Sequence, residues 1–164
     1  MRSLRRVFAV IPVAVLLAGA AGQLSRSTRS ERQVLEAYVR AWNQHDSTAF
    51  DSLMAPDGIH EDLAQGFTGR GSAEIKAFLA ELLKVEPDFR WELTSVIVAA
   101  PTVAAEWKWT ATYTGPGPKG PVTNRRITGR GASIAVISHG RIKRFTDYYD
   151  AASFFTAPAD STRR

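Results

Sequence analysis

The sequence predicts an α+β domain in which N-terminal helices pack on a strongly curved, mostly antiparallel sheet that rolls into a cone-shaped barrel. Three observations predict it. Apolar residues recur at helical spacing in the first half, the period switches to two from Phe89 onward, and Gly- and Pro-rich segments divide the later strands. Helices first and an antiparallel meander after them make one sheet covered on one side, and a curved sheet so covered encloses a cavity. At 164 residues the chain is long enough for one such core plus short appendages.

The appendages come first. Arg2, Arg5 and Arg6 precede an apolar run from Val7 to Ala21 that ends in small residues, which is the order of a secretory signal over residues 1–22. The run is short for a membrane span and is interrupted by Pro12, so an uncleaved membrane anchor is the alternative. Arg5-Arg6-Val7-Phe8 also has the order of a twin-arginine signal. The expectation is an exported protein, periplasmic or secreted, with no membrane partner once the signal is removed. Residues 23–30 read as a polar linker, residues 31–157 as the domain and residues 158–164 as a disordered tail. No cysteine is present, so the exported domain must be held by its core alone.

Order begins at Ser30, where Ser30-Glu31-Arg32-Gln33 has capping-box spacing. Val34, Leu35, Tyr38, Val39 and Trp42 then form one apolar helical stripe that ends at Asn43-Gln44-His45-Asp46, and Asp46 caps a shorter helix through Phe50 and Leu53. Pro56-Asp57-Gly58 reads as a turn, Gly58 to Asp62 as a short extended segment, and Gly66 to Gly71 as a loop. Ser72 is the expected cap of a third helix carrying Ile75, Phe78, Leu79, Leu82 and Leu83. Phe89, Trp91, Leu93 and Ser95 are placed on one face of the next strand. Val103, Ala105, Trp107, Trp109, Ala111 and Tyr113 share a face of the one after it. Residues 115–121 are a loop, strands follow over 125–138 and 141–149 with a tight His139-Gly140 turn, and Asp150 caps a last helical piece.

The net charge of +5 invites a nucleic-acid reading, which its distribution argues against. Seven of the 21 basic residues and one of the 16 acidic ones lie outside residues 31–157, leaving that segment at −1. A nearly neutral domain has no basic footprint for phosphate. Nor does the chain show a phosphate loop or a nucleophile motif. Its three histidines, His45, His60 and His139, are scattered without ligand spacing, so neither a metal nor a cofactor is expected.

The chemistry concentrates in Arg144-Phe145-Thr146-Asp147-Tyr148-Tyr149-Asp150. Alternation puts Asp147 between Phe145 and Tyr149 on one face, and an acid on an apolar face is a candidate general acid or base. His60 and Asp62 face the same way on an extended segment and are read as a base and its orienter. Trp91, Trp107, Trp109, Phe145 and Tyr149 are the candidate lining of an aromatic pocket, with Tyr113 as a hydroxyl donor at its mouth.

Four stretches carry a family resemblance: Val34 to Asp46, Phe67-Thr68-Gly69-Arg70-Gly71, Thr112-Tyr113-Thr114-Gly115, and His139-Gly140-Arg141-Ile142 leading to Asp147-Tyr148-Tyr149-Asp150. With this element order, the chain resembles the nuclear transport factor 2-like superfamily and, within it, the polyketide cyclase (SnoaL-like) group. The resemblance implies a cone with an apolar pocket in which one aspartate, at Asp147, serves as acid and base on a carbonyl-rich substrate. Limonene epoxide hydrolases are similar around the same aspartate but add an arginine and an aspartate two residues apart on a neighbouring strand, where this chain has Trp107 and Trp109. Indole neither pairs with a carboxylate as guanidinium does nor activates water, which argues against epoxide hydrolysis. The expected function is binding of a small apolar carbonyl compound, with proton transfer, cyclisation or isomerisation by a single aspartate. The alternatives are a non-catalytic binding module and an interaction module that forms a homodimer through its open sheet face.

Overall fold

The computed structural model describes residues 29–156; the expected signal, all but the last two linker residues, and the tail lie outside the described residues. The chain runs through α1 (Glu31–Asn43), a 3-10 turn (Ser47–Ala49), α2 (Phe50–Leu53), β1 (Met54–Asp62), β2 (Phe67–Arg70) and α3 (Gly71–Val85). It continues through β3 (Arg90–Ala99), β4 (Thr102–Gly115), β5 (Val122–Ser138), β6 (Arg141–Tyr149) and α4 (Ser153–Thr156). The six strands form one sheet in the order β2-β1-β6-β5-β4-β3. All neighbours are antiparallel except β1 and β6, which run parallel. The sheet is therefore mixed, and it is open, with β2 and β3 at its edges.

The helices close over it. The Ser30 capping box forms as its spacing requires, with the side chain accepting from Gln33 N–H and Gln33 reaching back to Ser30 N–H. The buried stripe of α1 packs against β3 and that of α3 against β1, so the helix layer joins strands from opposite ends of the sheet. At the β3 edge the Asn43 side-chain amide accepts from Trp91 N–H and donates to Trp91 C=O, both at 2.8 Å, as a neighbouring strand would. That pair fixes Trp91 over the core.

Four expectations are corrected. Pro56-Asp57-Gly58 is not a turn but a bulge inside β1, which pairs Met54 with Ile142 and then resumes at Ile59 opposite Arg144. Residues 67–70 are strand β2 rather than loop, because they pair with Ile59 to Asp62. Ser72 does not cap α3: Arg70 holds the cap position, its N–H donates to Glu74, and the Ser72 hydroxyl donates to Asp51. Ser95 does not share the face of Trp91 and Leu93, because a bulge between Leu93 and Ser95 places Ser95 opposite Glu106 and returns Val96 to the core side opposite Ala105. The His139-Gly140 hairpin has positive φ at both positions, 50° and 71°, as a two-residue turn of this hand requires.

Candidate functional site

The parallel pairing of β1 and β6 builds the site. Its register sets His60 against Phe145 and Asp62 against Asp147, so alternate residues of two strands converge on the inner face. His60, Asp62 and Asp147 are all buried, at 2%, 5% and 7% exposure. They meet a cleft lined also by Trp91, Trp107, Trp109, Tyr149, Phe154 and Glu86. About 470 Å³ of empty space, the open mouth included, lies between these residues, and its walls are mainly aromatic.

Hydrogen-bond chemistry orders the polar groups. The Trp107 indole donates to Ser133 Oγ at 2.7 Å, and since indole only donates, the Ser133 hydroxyl must direct its own proton to Asp147 Oδ1. The second oxygen, Oδ2, lies 3.0 Å from His60 Nε2, and Tyr38 Oη lies 2.7 Å from His60 Nδ1. A carboxylate only accepts, so Nε2 is the nitrogen that donates to Asp147, and Nδ1 faces the Tyr38 hydroxyl. Burial raises the Tyr38 phenol well above its ordinary pKa, which keeps it a neutral donor. Asp147 thus accepts from two directions, each donor itself oriented from behind.

Asp62 is held in the same manner. Gln65 Nε2 donates to Tyr149 Oη at 3.0 Å, Tyr149 donates to Asp62 Oδ2 at 2.8 Å, and Gln65 N–H donates to Oδ1 at 3.0 Å. Burial raises the Asp62 pKa, with a further push from the Asp147 charge, against the hydrogen bonds from Gln65 and Tyr149. Across the cleft, Glu86 accepts from Trp109 Nε1 at 2.6 Å, and burial pushes its carboxyl up to about 7. Among the described residues no lysine or arginine lines the cleft, so the three carboxyls are held by hydroxyl, amide, indole and imidazole groups rather than by a guanidinium or ammonium. Among the described residues no group of three or more His, Asp or Glu is placed to hold a metal ion.

The family model for SnoaL-like polyketide cyclases matches residues 32–157. The chain belongs to this family. No curated protein sequence matches the chain. Solved structures agree on the fold of this SnoaL-like domain. A protein from Catenulispora acidiphila with a ketosteroid isomerase-like fold, in complex with trimethylamine, is 23% identical over 80% of this chain and 98% of that one, with a TM-score of 0.67. A SnoaL-like polyketide cyclase from Agrobacterium tumefaciens is 18% identical over 76% and 94%, at 0.65. TsrD from Streptomyces laurentii is 21% identical over 80% and 94%, at 0.64.

Of the residues singled out in the sequence, the SnoaL-like domain brings Asp147, His60, Asp62, Trp91, Trp107, Trp109 and Tyr149 around one cleft. Two are elsewhere. Phe145 is fully buried beneath the site, its ring centroid 5.0 Å from those of both Tyr38 and His60, and supports the histidine rather than lining the cavity. Tyr113 borders a neighbouring outer compartment, and its hydroxyl donates to the Pro116 carbonyl at 2.6 Å. The pairing of His60 with Asp62 as base and orienter is also corrected: Tyr38 orients His60, and Asp62 belongs to the Tyr149 and Gln65 chain.

Sequence reasoning missed Ser133, Gln65, Glu86 and the polar role of Tyr38. A signal for Ser133 exists in Gly129-Arg130-Gly131-Ala132-Ser133, where alternate glycines mark one crowded face of β5. Gly131 pairs with Trp107, and a Cβ there would lie 2.4 Å from the indole. Ser133 is the next residue on that face and pairs with Asp147.

Proposed function

We propose that this SnoaL-like domain binds a small, largely apolar carbonyl compound and moves a proton alpha to the carbonyl with Asp147. The observation that carries the proposal is the doubly oriented Asp147 carboxylate in an aromatic cleft: Ser133 and His60 hold its two oxygens at a wall otherwise lined mainly by aromatic rings. In the forward step Asp147 takes the proton, the C–H electron pair moves into the C–C bond, and the carbonyl oxygen becomes the developing oxyanion. Tyr149, kept neutral by burial and hydrogen-bonded to Asp62, is the acid positioned to meet that charge, after which Asp147 returns its proton to the carbon or to a new position. The tryptophan faces orient the ring or chain of the substrate. The trimethylamine bound by the Catenulispora protein gives a precedent for a small organic molecule on this fold.

The test is pH-dependent turnover of a panel of enolisable ketones by the mature domain and by Asp147→Asn, with binding measured on both. Binding with turnover in the wild type and binding without turnover in the variant supports the enzyme reading. Binding with no turnover in either protein leaves a ligand-binding module and removes the catalytic step.

The N-terminal order of arginines, apolar run and small residues supports export of this domain. A homodimer is supported by a separate observation on the uncovered face of the sheet. Ile97, Ala104, Ile134 and Thr146 lie in one cross-strand row there, with Ile97 and Ile134 exposed at 67% and 42%. Sedimentation of the mature domain tests it, and a monomer at all concentrations would exclude it.

A further inference from the structure

Outside the cleft lies a second, larger compartment of about 890 Å³, mouth included. Its walls are Tyr113, Pro116, Pro118, Ile127, Ala151 and Phe155, and it shares Gln65, Glu86, Tyr149 and Phe154 with the inner cleft. The two adjoin across those four residues. Phe154 stands at the threshold, stacked on Tyr149 with ring centroids 5.3 Å apart and planes 10° from parallel. Its seat is built into β5: a Cβ on Gly129 would fall 1.4 Å from Phe154 Cε1, so only glycine admits the ring. The loop that forms the far wall is held by the Tyr113 hydroxyl on the Pro116 carbonyl.

We propose that the outer compartment is a second subsite that takes an uncharged aromatic or alkyl arm of the same ligand whose carbonyl head sits at Asp147. The proposal rests on the inner cleft being the ligand site. Its chemistry follows from the walls. The lining is mainly proline, isoleucine, alanine and aromatic rings, which reward burial of an apolar group. Among the described residues no lysine or arginine lines either compartment, and Glu86 stands between them, so an anionic arm meets a carboxyl and no counter-charge from these walls. Trp109 donates to one Glu86 oxygen and the other has no hydrogen-bond partner among the described residues, which leaves it for a polar group at the junction of head and arm. The substrate class is therefore an elongated ketone rather than a compact one.

The experiment is calorimetric titration of the mature domain with phenyl ketones of increasing alkyl length, from acetophenone to decanophenone. The measurements are made on wild type, Ala151→Trp and Phe154→Ala, each checked for an unchanged circular-dichroism spectrum. Ala151 lies on the outer wall away from the core, so the added indole fills the compartment without entering the inner cleft. The expected result is a gain of roughly two- to fourfold in affinity per added methylene in wild type until the compartment is filled. Ala151→Trp should lose that gain while holding acetophenone with wild-type affinity. Phe154→Ala should lengthen the series before the plateau. Equal affinity across the series in wild type, or an undiminished gain in Ala151→Trp, would overturn the outer subsite and leave the inner reading intact. No binding of any ketone would overturn both.

Discussion

Strands β1 and β6 present two faces built from alternate residues of the same pairing, and the faces treat their carboxylates differently. On the outer face Glu61 meets the Arg144 guanidinium at 2.6 Å and accepts from the Thr146 hydroxyl at 3.0 Å. One residue away on each side, the inner Asp62 accepts from Tyr149 and Gln65, and Asp147 accepts from Ser133 and His60. A guanidinium meets an acid with a full charge, whereas hydroxyls, an amide and an imidazole orient it through hydrogen bonds. The difference teaches that position on a strand is less informative than the donor on the far side. The inner acids are oriented by hydrogen bonds at the wall of the cleft, and the outer one is paired with a cation at the surface.

Four substitutions test that contrast, taken from the largest effect to the smallest. Asp147→Asn keeps the shape and the acceptor oxygen but removes the base, so turnover of an enolisable ketone should fall about 10²- to 10⁴-fold with binding retained. Glu86→Gln comes next and reads stability against pH. Burial raises the folded-state pKa of Glu86 from 4.5 to about 7, so the folded protein binds this proton more tightly than the unfolded chain does. The stability it contributes is present below pH 4.5 and is lost as pH rises through 7. Urea unfolding at pH 4.5 and pH 8 should show wild type losing up to about 3 kcal/mol that Glu86→Gln does not lose. Asp62 adds a loss of the same sign.

Tyr38→Phe leaves His60 Nδ1 buried without a donor, which costs about 1–3 kcal/mol of folding stability. Its turnover should fall because the imidazole is no longer oriented, and Tyr38→Phe combined with Asp147→Asn should show little further loss in turnover, since the tyrosine acts through the aspartate. Arg144→Ala, on the outer face, should change stability by less than about 1 kcal/mol and leave turnover unaltered, because Arg144 is half exposed and its pair is screened. An Arg144→Ala effect as large as that of Tyr38→Phe would break the distinction between the faces.

Much of this arrangement is legible in the sequence where a period is long and one-sided. The α1 stripe, the alternating tryptophans of β4 and the inward direction of Asp147 all follow from spacing, because burial leaves a regular element one orientation. The readings fail where pairing partners decide. The β1 bulge at residues 56–58 and the flip at Ser95 depend on β6 and β4, which local pattern does not contain. Tyr38 was legible as core and not as a polar residue, since its ring fills an apolar stripe while its hydroxyl reaches His60 on another element. Glu86 goes unread because it follows the last turn of a helix, and only the approach of Trp109 across the cavity reveals it as buried.

The central claim is that Asp147 moves a proton on carbon. It is tested most directly by following deuterium exchange of the alpha protons of a bound enolisable ketone in D₂O by proton NMR, for wild type and Asp147→Asn. Enzyme-dependent loss of the alpha signal is expected with wild type and the uncatalysed rate with the variant. Exchange at the uncatalysed rate with wild type saturated by ligand, or undiminished exchange with Asp147→Asn, would contradict it.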